Sequence, residues 1–400
     1  MTVRHLRTAA TIAAAALATA TLAAPSAAED LPDIIGHRGS AGTAPENTVP
    51  SMRDARTAGS ELFEIDLQLS SDGVPFLFHD ATPGRTTDVE DVFPERADDH
   101  ITSFTWDELS RLDAGSYFGT PFDGTRIPHL DAAARQARGS TGVNIEVKEP
   151  AASPGVEQVL AESLATDPDW QRLLRQDKLV VSSFDVGSLE AFHELAPHVP
   201  VLPIVSELPD DETLASWAEY AGGVVTDYRN LEAADVDRVH ALGLDLATYT
   251  VNDPESMQHL TDLGVDRIIT DFPRVLARMQ AGQDPVPAAN GIEVADVVAD
   301  VPGADLQPET GEHVVLTNTS DEPVDVSGYL LQDAAINRLT VGEGYVLRPG
   351  AELRVYTGPG TNAEDAYYND LDANVLNNAG DSIAVLSPDP ARVLLDLYGY

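Results

Sequence analysis

Residues 62–79 read LFEIDLQLSSDGVPFLFH, and the way this stretch folds decides the architecture. Leu62–Leu69 and Pro75–His79 are both strand-like runs, but little more than Ser70-Ser71-Asp72-Gly73 lies between them. Parallel neighbours need a crossover of a dozen or more residues, whereas Asp-Gly is a tight-turn signal, so the two runs should pair as an antiparallel hairpin. With Asp72-Gly73 as the turn, Ser71 faces Val74 and Asp66 faces His79, to within about one residue. Further strand-like runs are Asp33–His37, Val143–Lys148, Leu179–Phe184, Val201–Val205, Gly223–Asp227, Leu246–Val251 and Arg267–Thr270, separated by longer amphipathic stretches. Alternation of this kind predicts repeated βα units around a parallel sheet. Setting the Pro75–His79 arm aside leaves eight βα strands, which predicts an α/β fold of the (β/α)8 TIM-barrel type over residues 29–281.

Two departures from that rhythm mark the rest of the chain. Residues 81–128 carry turn residues, a dense acidic run at Asp88–Asp99 and the aromatics Phe104, Trp106, Tyr117, Phe118 and Phe122, and they read as an insertion over one barrel face, following His79. Residues 282–291 are rich in Gly, Pro, Ala and Asn, a linker composition. Beyond it, residues 292–400 hold short alternating runs at His313–Asn318, Val324–Tyr329, Leu353–Thr357, Ser382–Leu386 and Arg392–Tyr398 with no helix-length segment, which predicts an all-β sandwich.

Composition narrows the chemistry. The 400 residues contain 24 Lys+Arg against 66 Asp+Glu, a net charge of −42, with no cysteine and 43% hydrophobic residues. Such a surface repels nucleic acid and anionic membranes, so a small-molecule partner is expected and nucleic acid is not. Without thiolates, any metal must take oxygen or imidazole ligands. The N-terminus has Arg4 and Arg7, an Ala/Thr/Leu run to about Ala24 and small residues up to Ala28. This is the layout of a signal peptide over residues 1–28, so a secreted, extracellular protein with no transmembrane segment is expected.

The candidate chemistry lies at the strand ends, which in a barrel open onto the active-site face. His37-Arg38-Gly39 closes the first strand; histidine titrates near neutrality and arginine grips phosphate or carboxylate with two parallel donors. Glu64 and Asp66 are two apart on an apolar strand and so share a face, and Glu146 and Lys148 repeat that spacing. Three converging carboxylates suit one hard divalent cation, Ca2+ or Mg2+. His79, placed opposite Asp66 by the hairpin, would complete a cavity equipped for phosphoryl chemistry: cations for the phosphate oxygens, a base and an acid.

These residues carry a resemblance. HRG with PENT downstream, ExD followed by SSDG and HD, RTT at Arg85–Thr87, IPHL at Ile127–Leu130, IEVK, SSF at Ser182–Phe184, TYTVN and GVDRIITDFP, in this order from Asp33 to about Arg278, resemble the glycerophosphodiester phosphodiesterase family. The resemblance implies a TIM barrel with an insertion after the second histidine, and a metal held by Glu64, Asp66 and Glu146. It implies His37 and His79 as general acid and base, and Arg38, Glu46 and Lys148 as the groups that bind and neutralise the phosphodiester. The free glycerol hydroxyl would attack phosphorus and water would open the cyclic product. Tyr249 falls where the family often has tryptophan and is expected against the substrate, while Pro83-Gly84 replaces a common leucine beside RTT. The C-terminal stretches VVLTNTSDEPVDVSGYLLQD and LNNAGDSIAVLS resemble the lamin-tail type of immunoglobulin-like domain, which implies attachment to a cell surface or a protein, or stabilisation.

The leading expectation is a secreted, metal-dependent phosphodiesterase releasing sn-glycerol 3-phosphate and an alcohol from deacylated phospholipids such as glycerophosphocholine. Two alternatives stand beside it: a phospholipase-D-like hydrolase of lysophospholipids or sphingolipids, favoured if the Phe104–Phe122 aromatics form an apolar entrance, and a surface binding protein with an inactive barrel. A glycosidase would use paired carboxylates but has no call for two histidines with arginine and lysine.

Overall fold

A computed structural model describes residues 31–400; the N-terminal signal-like segment lies outside them. Nine strands form one sheet: β1 (Asp33–Gly36), β2 (Leu62–Leu69), β3 (Pro75–Leu77), β4 (Gly142–Val147), β5 (Leu179–Ser183), β6 (Val201–Val205), β7 (Gly223–Asp227), β8 (Asp245–Tyr249) and β9 (Arg267–Thr270). Their order is β1-β9-β8-β7-β6-β5-β4-β2-β3, and pairing of β1 with β2 closes the eight parallel strands into a barrel. Only β3 runs antiparallel, as the short linker requires. The barrel lumen is filled by Ile35, Val180, Leu202, Ile204, Val225, Ala247 and Ile269, so it is a packed core rather than a pore.

The hairpin register differs from the sequence-based expectation by one residue. Leu67 pairs with Leu77 and Leu69 with Pro75, and Phe78 N donates to Asp66 O, so Asp66 stands opposite Phe78 rather than His79. The cause is the turn. Ser70 N donates to Val74 O, which leaves a three-residue loop of Ser71, Asp72 and Gly73, the last at φ 79° where glycine has no Cβ penalty. β3 accordingly ends at Leu77, and His79 leaves the sheet on the following loop.

The insertion builds its own small core. Phe104 and Phe118 are essentially unexposed, and Phe104 packs with Phe76, Phe78, Val89 and Ile101. The aromatics expected to make an apolar entrance are therefore largely consumed in holding the insertion together, which removes the feature favouring a lipid-binding mouth.

The C-terminal region forms two four-stranded sheets. One orders β10 (Ile292–Val298), β11 (His313–Asn318), β16 (Glu352–Tyr356) and β17 (Ala366–Tyr368); the other orders β14 (Arg338–Thr340), β13 (Leu330–Asp333), β18 (Ser382–Leu386) and β19 (Leu394–Gly399). A two-stranded ribbon, β12 (Val324–Asp325) with β15 (Val346–Leu347), completes the sandwich. The expected run Val324–Tyr329 is thus split: it pairs only at Val324–Asp325, turns at Gly328, and the next strand starts at Leu330. Ala384 and Leu397 of this region pack with the barrel's Leu260 and Leu276, so sandwich and barrel share apolar core. No helix among the described residues is long and apolar enough to cross a membrane.

Candidate active site

The strand ends of β1, β2, β4, β5, β8 and β9 converge on a cavity of about 260 Å3 whose wall includes His37, Arg38, Glu64, His79, Glu146, Lys148 and Tyr249. The expected site residues are brought together here; Glu46 stands one step behind, reaching the cavity through Arg38.

The HRG corner is built by backbone strain. Arg38 has φ 47° and Gly39 φ 92°, and a Cβ at Gly39 would meet Ser51 Oγ at 2.4 Å, so only glycine lets the chain bend this tightly against helix α1 (Val49–Ala58). Ser51 Oγ donates to the Arg38 carbonyl at 2.8 Å, and Arg38 N donates to Glu64 Oε2 at 2.7 Å. The bend turns the Arg38 side chain toward Glu46, where Nη1 donates to Oε1 at 2.9 Å, and places Nε 3.6 Å from Asp66 Oδ2.

Glu64, Asp66 and Glu146 present oxygens that all lie within 4.8 Å of one another. The strand pairing explains this: Asp66 is directly beside Glu146 and Glu64 beside Asn144, while the side chains share one face. Burial pushes the Glu64 carboxyl well above its usual range, and the charges of Asp66 and Glu146 add to that. Glu146 is raised for the same reasons, burial first and Asp66 second. Asp66 goes the other way: although burial opposes it, His79, Lys148 and Arg38 hold it far below the usual carboxylate range, and Asn47 Nδ2 donates to it at 2.7 Å. Glu64 Oε1 is buried with no hydrogen-bond partner. Three carboxylates this close need a cation between them, and an orphaned oxygen aimed into the cluster offers it a ligand; the donors are all hard oxygens, as Ca2+ or Mg2+ prefers.

Each histidine is paired with a carboxylate. His37 Nδ1 lies 2.8 Å from Asp271 Oδ1, and His79 Nδ1 lies 2.7 Å from Asp80 Oδ1. A carboxylate at Nδ1 fixes the ring and leaves Nε2 free for substrate. Asn252 braces Asp271, its side-chain amide donating to Oδ2 and its Oδ1 accepting from Asp271 N at 2.9 Å. Lys148 Nζ donates to Glu146 Oε1 at 3.1 Å and sits 3.8 Å from Asp66. Tyr249 donates through its hydroxyl to Val205 O at 3.1 Å and packs edge-on against Phe184, which is 50% exposed at the mouth. A second acidic corner, Glu46 with His79 and Asp80, is already neutralised by Arg85, which donates to both carboxylates.

Several of these residues carry no role in the sequence reading: Asn47, Asp80, Arg85, Phe184, Asn252 and Asp271. All fall inside the motifs PENT, HD, RTT, SSF, TYTVN and GVDRIITDFP. Asp80 was within reach, since a carboxylate adjoining a candidate catalytic histidine is a natural orienting partner. Asp271 is 234 residues from His37, and only the closed barrel brings them together.

A metal-ready carboxylate cluster at the strand ends of a TIM barrel, flanked by two oriented imidazoles and two cations, defines a phosphoric diester hydrolase. Residues 37–275 match the Glycerophosphoryl diester phosphodiesterase family and residues 285–400 match the Lamin Tail Domain. The chain belongs to the glycerophosphoryl diester phosphodiesterase family, with a lamin tail domain appended to its barrel. It is similar to a glycerophosphodiester phosphodiesterase of Bacillus altitudinis, 31% identical over 248 residues, covering 60% of this chain and 94% of that one. A glycerophosphodiester phosphodiesterase of Bacillus subtilis is 28% identical over 260 residues, covering 62% and 86%. Among solved structures, an Oleispira antarctica phosphodiesterase in complex with the product sn-glycerol-3-phosphate is 30% identical with a TM-score of 0.52, covering 63% of this chain and 97% of that one.

Proposed function

We propose that the protein hydrolyses glycerophosphodiesters, the deacylated phospholipids of which glycerophosphocholine is one, to sn-glycerol 3-phosphate and an alcohol, with a divalent cation as cofactor. The observation that carries this reading is the cluster of Glu64, Asp66 and Glu146 around the unpartnered Glu64 Oε1, facing two carboxylate-paired histidines. Those three residues would hold Ca2+ or Mg2+. When bound, the cation supplies charge neutralisation at the phosphoryl oxygens.

The remaining work falls to the chain's own groups. Arg38 is held by Glu46 and Lys148 by Glu146, so each presents a fixed positive charge to the cavity. One imidazole takes the proton of the attacking hydroxyl through Nε2, and the other returns a proton to the oxygen of the departing alcohol, so charge does not accumulate on either oxygen. Asp271 and Asp80 hold the rings in the required tautomer and stabilise whichever becomes imidazolium. The exposed Phe184 and the groove beyond it, which runs along Glu149, Pro150 and Asp185, leave room for the alcohol group outside the metal cluster.

Purified protein given glycerophosphocholine or glycerophosphoethanolamine, with and without a chelator, tests this. Glycerol phosphate release that stops with chelator and returns with Ca2+ or Mg2+ is expected; no release, or release indifferent to chelator, overturns it. We also propose secretion, on the signal-like residues 1–28. Protein recovered from the culture medium should begin just after Ala28, and an intact N-terminus overturns that part.

A further inference from the structure

The sandwich reaches the acid–base corner of the barrel site. Arg85, in the insertion after His79, donates to both Glu46 oxygens at 2.8 Å each, and to the two Asp80 oxygens at 2.6 and 3.0 Å. These are the carboxylates that hold Arg38 and the His79 ring. One guanidinium therefore ties the phosphate clamp to one of the two imidazoles. Arg85 Nη1 also donates, at 3.3 Å, to the Ala335 carbonyl in the turn between β13 and β14. That turn is fixed by Asp333, whose carboxylate accepts Asn337 N at 2.6 Å and Asn337 Nδ2 at 2.8 Å.

A second link runs through Tyr117. Its hydroxyl accepts the Glu46 backbone N–H at 3.1 Å, and its backbone carbonyl accepts Arg338 Nη1 of β14 at 2.7 Å. Arg338 and Arg392, both from the sandwich, lie 4.8 and 5.1 Å over the neighbouring Phe118 ring, which fastens this segment of the insertion. Besides Arg38, Glu46 is thus approached by two groups, Arg85 and Tyr117, and each of these two is also held by the sandwich. Arg85 is about a third exposed and its side chain has substantial rotamer freedom, so ordering it in advance lowers the cost of forming the reactive geometry.

We propose that the β13–β14 edge of the sandwich is a positioning element of the catalytic site: through Arg85 and Tyr117 it sets Glu46 and Asp80, and through them Arg38 and His79. The appended domain is then part of the machinery rather than a passenger. Arg85 and Tyr117 are positioning residues, and so, one step further out, are Arg338 and Asn337. The inference rests on the phosphodiesterase reading above, and its test includes a readout that needs no turnover.

The full chain is used throughout. Asn337→Ala removes a ligand of the turn at an exposed position, and Arg338→Ala removes the Tyr117 anchor. Each is expected to lower kcat/KM for glycerophosphocholine about fivefold or more, chiefly in kcat, with thermal unfolding still far above the assay temperature. Arg338→Ala should add less than about twofold on top of Tyr117→Phe, because both act through one link. Arg354→Ala, whose ion pairs with Glu352 and Asp365 are on the other sheet, serves as the control and should stay within about twofold of the unaltered chain. Independently of activity, the Arg85 Nε–H resonance, assigned by its loss in Arg85→Lys, should exchange with solvent about tenfold faster in Asn337→Ala. Unchanged Arg85 exchange in Asn337→Ala overturns the proposal, and so does kcat/KM within about twofold for Asn337→Ala in an enzyme that turns over. A full multiplicative loss for Arg338→Ala on Tyr117→Phe does the same. Should Arg338→Ala fail to fold, the exposed Asn337 decides. An inactive unaltered chain that still shows the Arg85 response counts against the phosphodiesterase reading and leaves the positioning inference supported.

Discussion

The barrel and the sandwich both bury carboxylates, and they treat them in opposite ways. In the sandwich each buried acid is separately answered by amides: Asp333 accepts two hydrogen bonds from Asn337, and the fully buried Glu312 accepts Val375 N at 2.7 Å and Leu376 N at 3.3 Å. In the barrel, three acids face one another and are answered by Arg38, Lys148 and His79 around an open cavity. Among the described residues, one buried carboxylate oxygen without a partner occurs in each region, Glu64 Oε1 and Glu312 Oε2. An orphaned carboxylate oxygen is therefore no mark of chemistry by itself. Convergence of several acids with cationic side chains, at a place substrate can reach, is what separates a site from a structural acid.

The largest expected effects divide the two regions. Glu64→Gln should cut kcat about a thousandfold while the thermal midpoint holds or rises, because it removes a repelling charge from the cluster. Glu312→Ala should do the reverse: kcat retained and about 2–4 kcal/mol of stability lost, since two backbone N–H groups lose their acceptor. Parallel measurement of kcat and chemical denaturation checks both, and loss of turnover in Glu312→Ala equal to that in Glu64→Gln would break the distinction. A second contrast lies within the barrel. His37–Asp271 and His240–Asp266 are equally short contacts of 2.8 Å, through Nδ1 in His37 and Nε2 in His240, but His240 is on the outer surface and does not line the cavity. His37→Ala should lose about 10^2–10^4 in kcat, and His240→Ala nothing measurable.

Smaller, and confined to the sandwich, is a pH effect. Burial raises the Asp333 carboxyl to about 7, and nearby Asp381 pushes in the same direction. An acid whose folded pKa lies above its unfolded value stabilises the fold most when protonated, so its contribution is complete below about pH 4 and is lost as pH rises toward about 7. The unaltered protein should therefore lose about 2–4 kcal/mol from this group between pH 4 and 8, and Asp333→Asn should flatten that slope. Denaturant melts at closely spaced pH values read the difference between the two chains, and parallel profiles would show that Asn337 and the surrounding amides already compensate the charge.

Much of this was legible in the sequence. The eight parallel strands and the antiparallel arm follow from run lengths and linker lengths, and Glu64, Asp66, Glu146 and Lys148 follow from a two-residue period on strands too apolar to waste charges. The hairpin register missed by one because Asp72-Gly73 reads as a two-residue turn, whereas Ser71 joins it in a three-residue loop. The aromatics of the insertion were visible, but their burial was not, since composition cannot say whether a Phe faces a cavity or a local core. The sandwich strands Ala366–Tyr368 and Val346–Leu347 escaped because two or three residues are too few to show alternation. Contacts spanning the whole chain were beyond reach in principle: His37 to Asp271, and Arg85 to Ala335, are 234 and 250 residues apart. No local pattern encodes a pairing that exists only once the barrel is closed and the sandwich docked.

The smallest effect concerns the charge that both regions share. A net charge of −42 repels an anionic substrate at long range, and only Arg38, Lys148 and the proposed cation reverse that field inside the cavity. Raising ionic strength from about 10 to 150 mM shortens the screening length from roughly 30 to 8 Å, which suppresses the distant repulsion while leaving contacts within the site nearly intact. For glycerophosphoglycerol, a net anion, kcat/KM should rise about two- to threefold over this range with kcat nearly constant. For zwitterionic glycerophosphocholine the rise should be close to nil. Stopped-flow progress curves at matched viscosity compare the two, and the difference between substrates matters more than either slope. Equal responses would mean that the local cations already dominate the field at the mouth, and that the acidity of barrel and sandwich alike is a matter of solubility with no bearing on substrate entry.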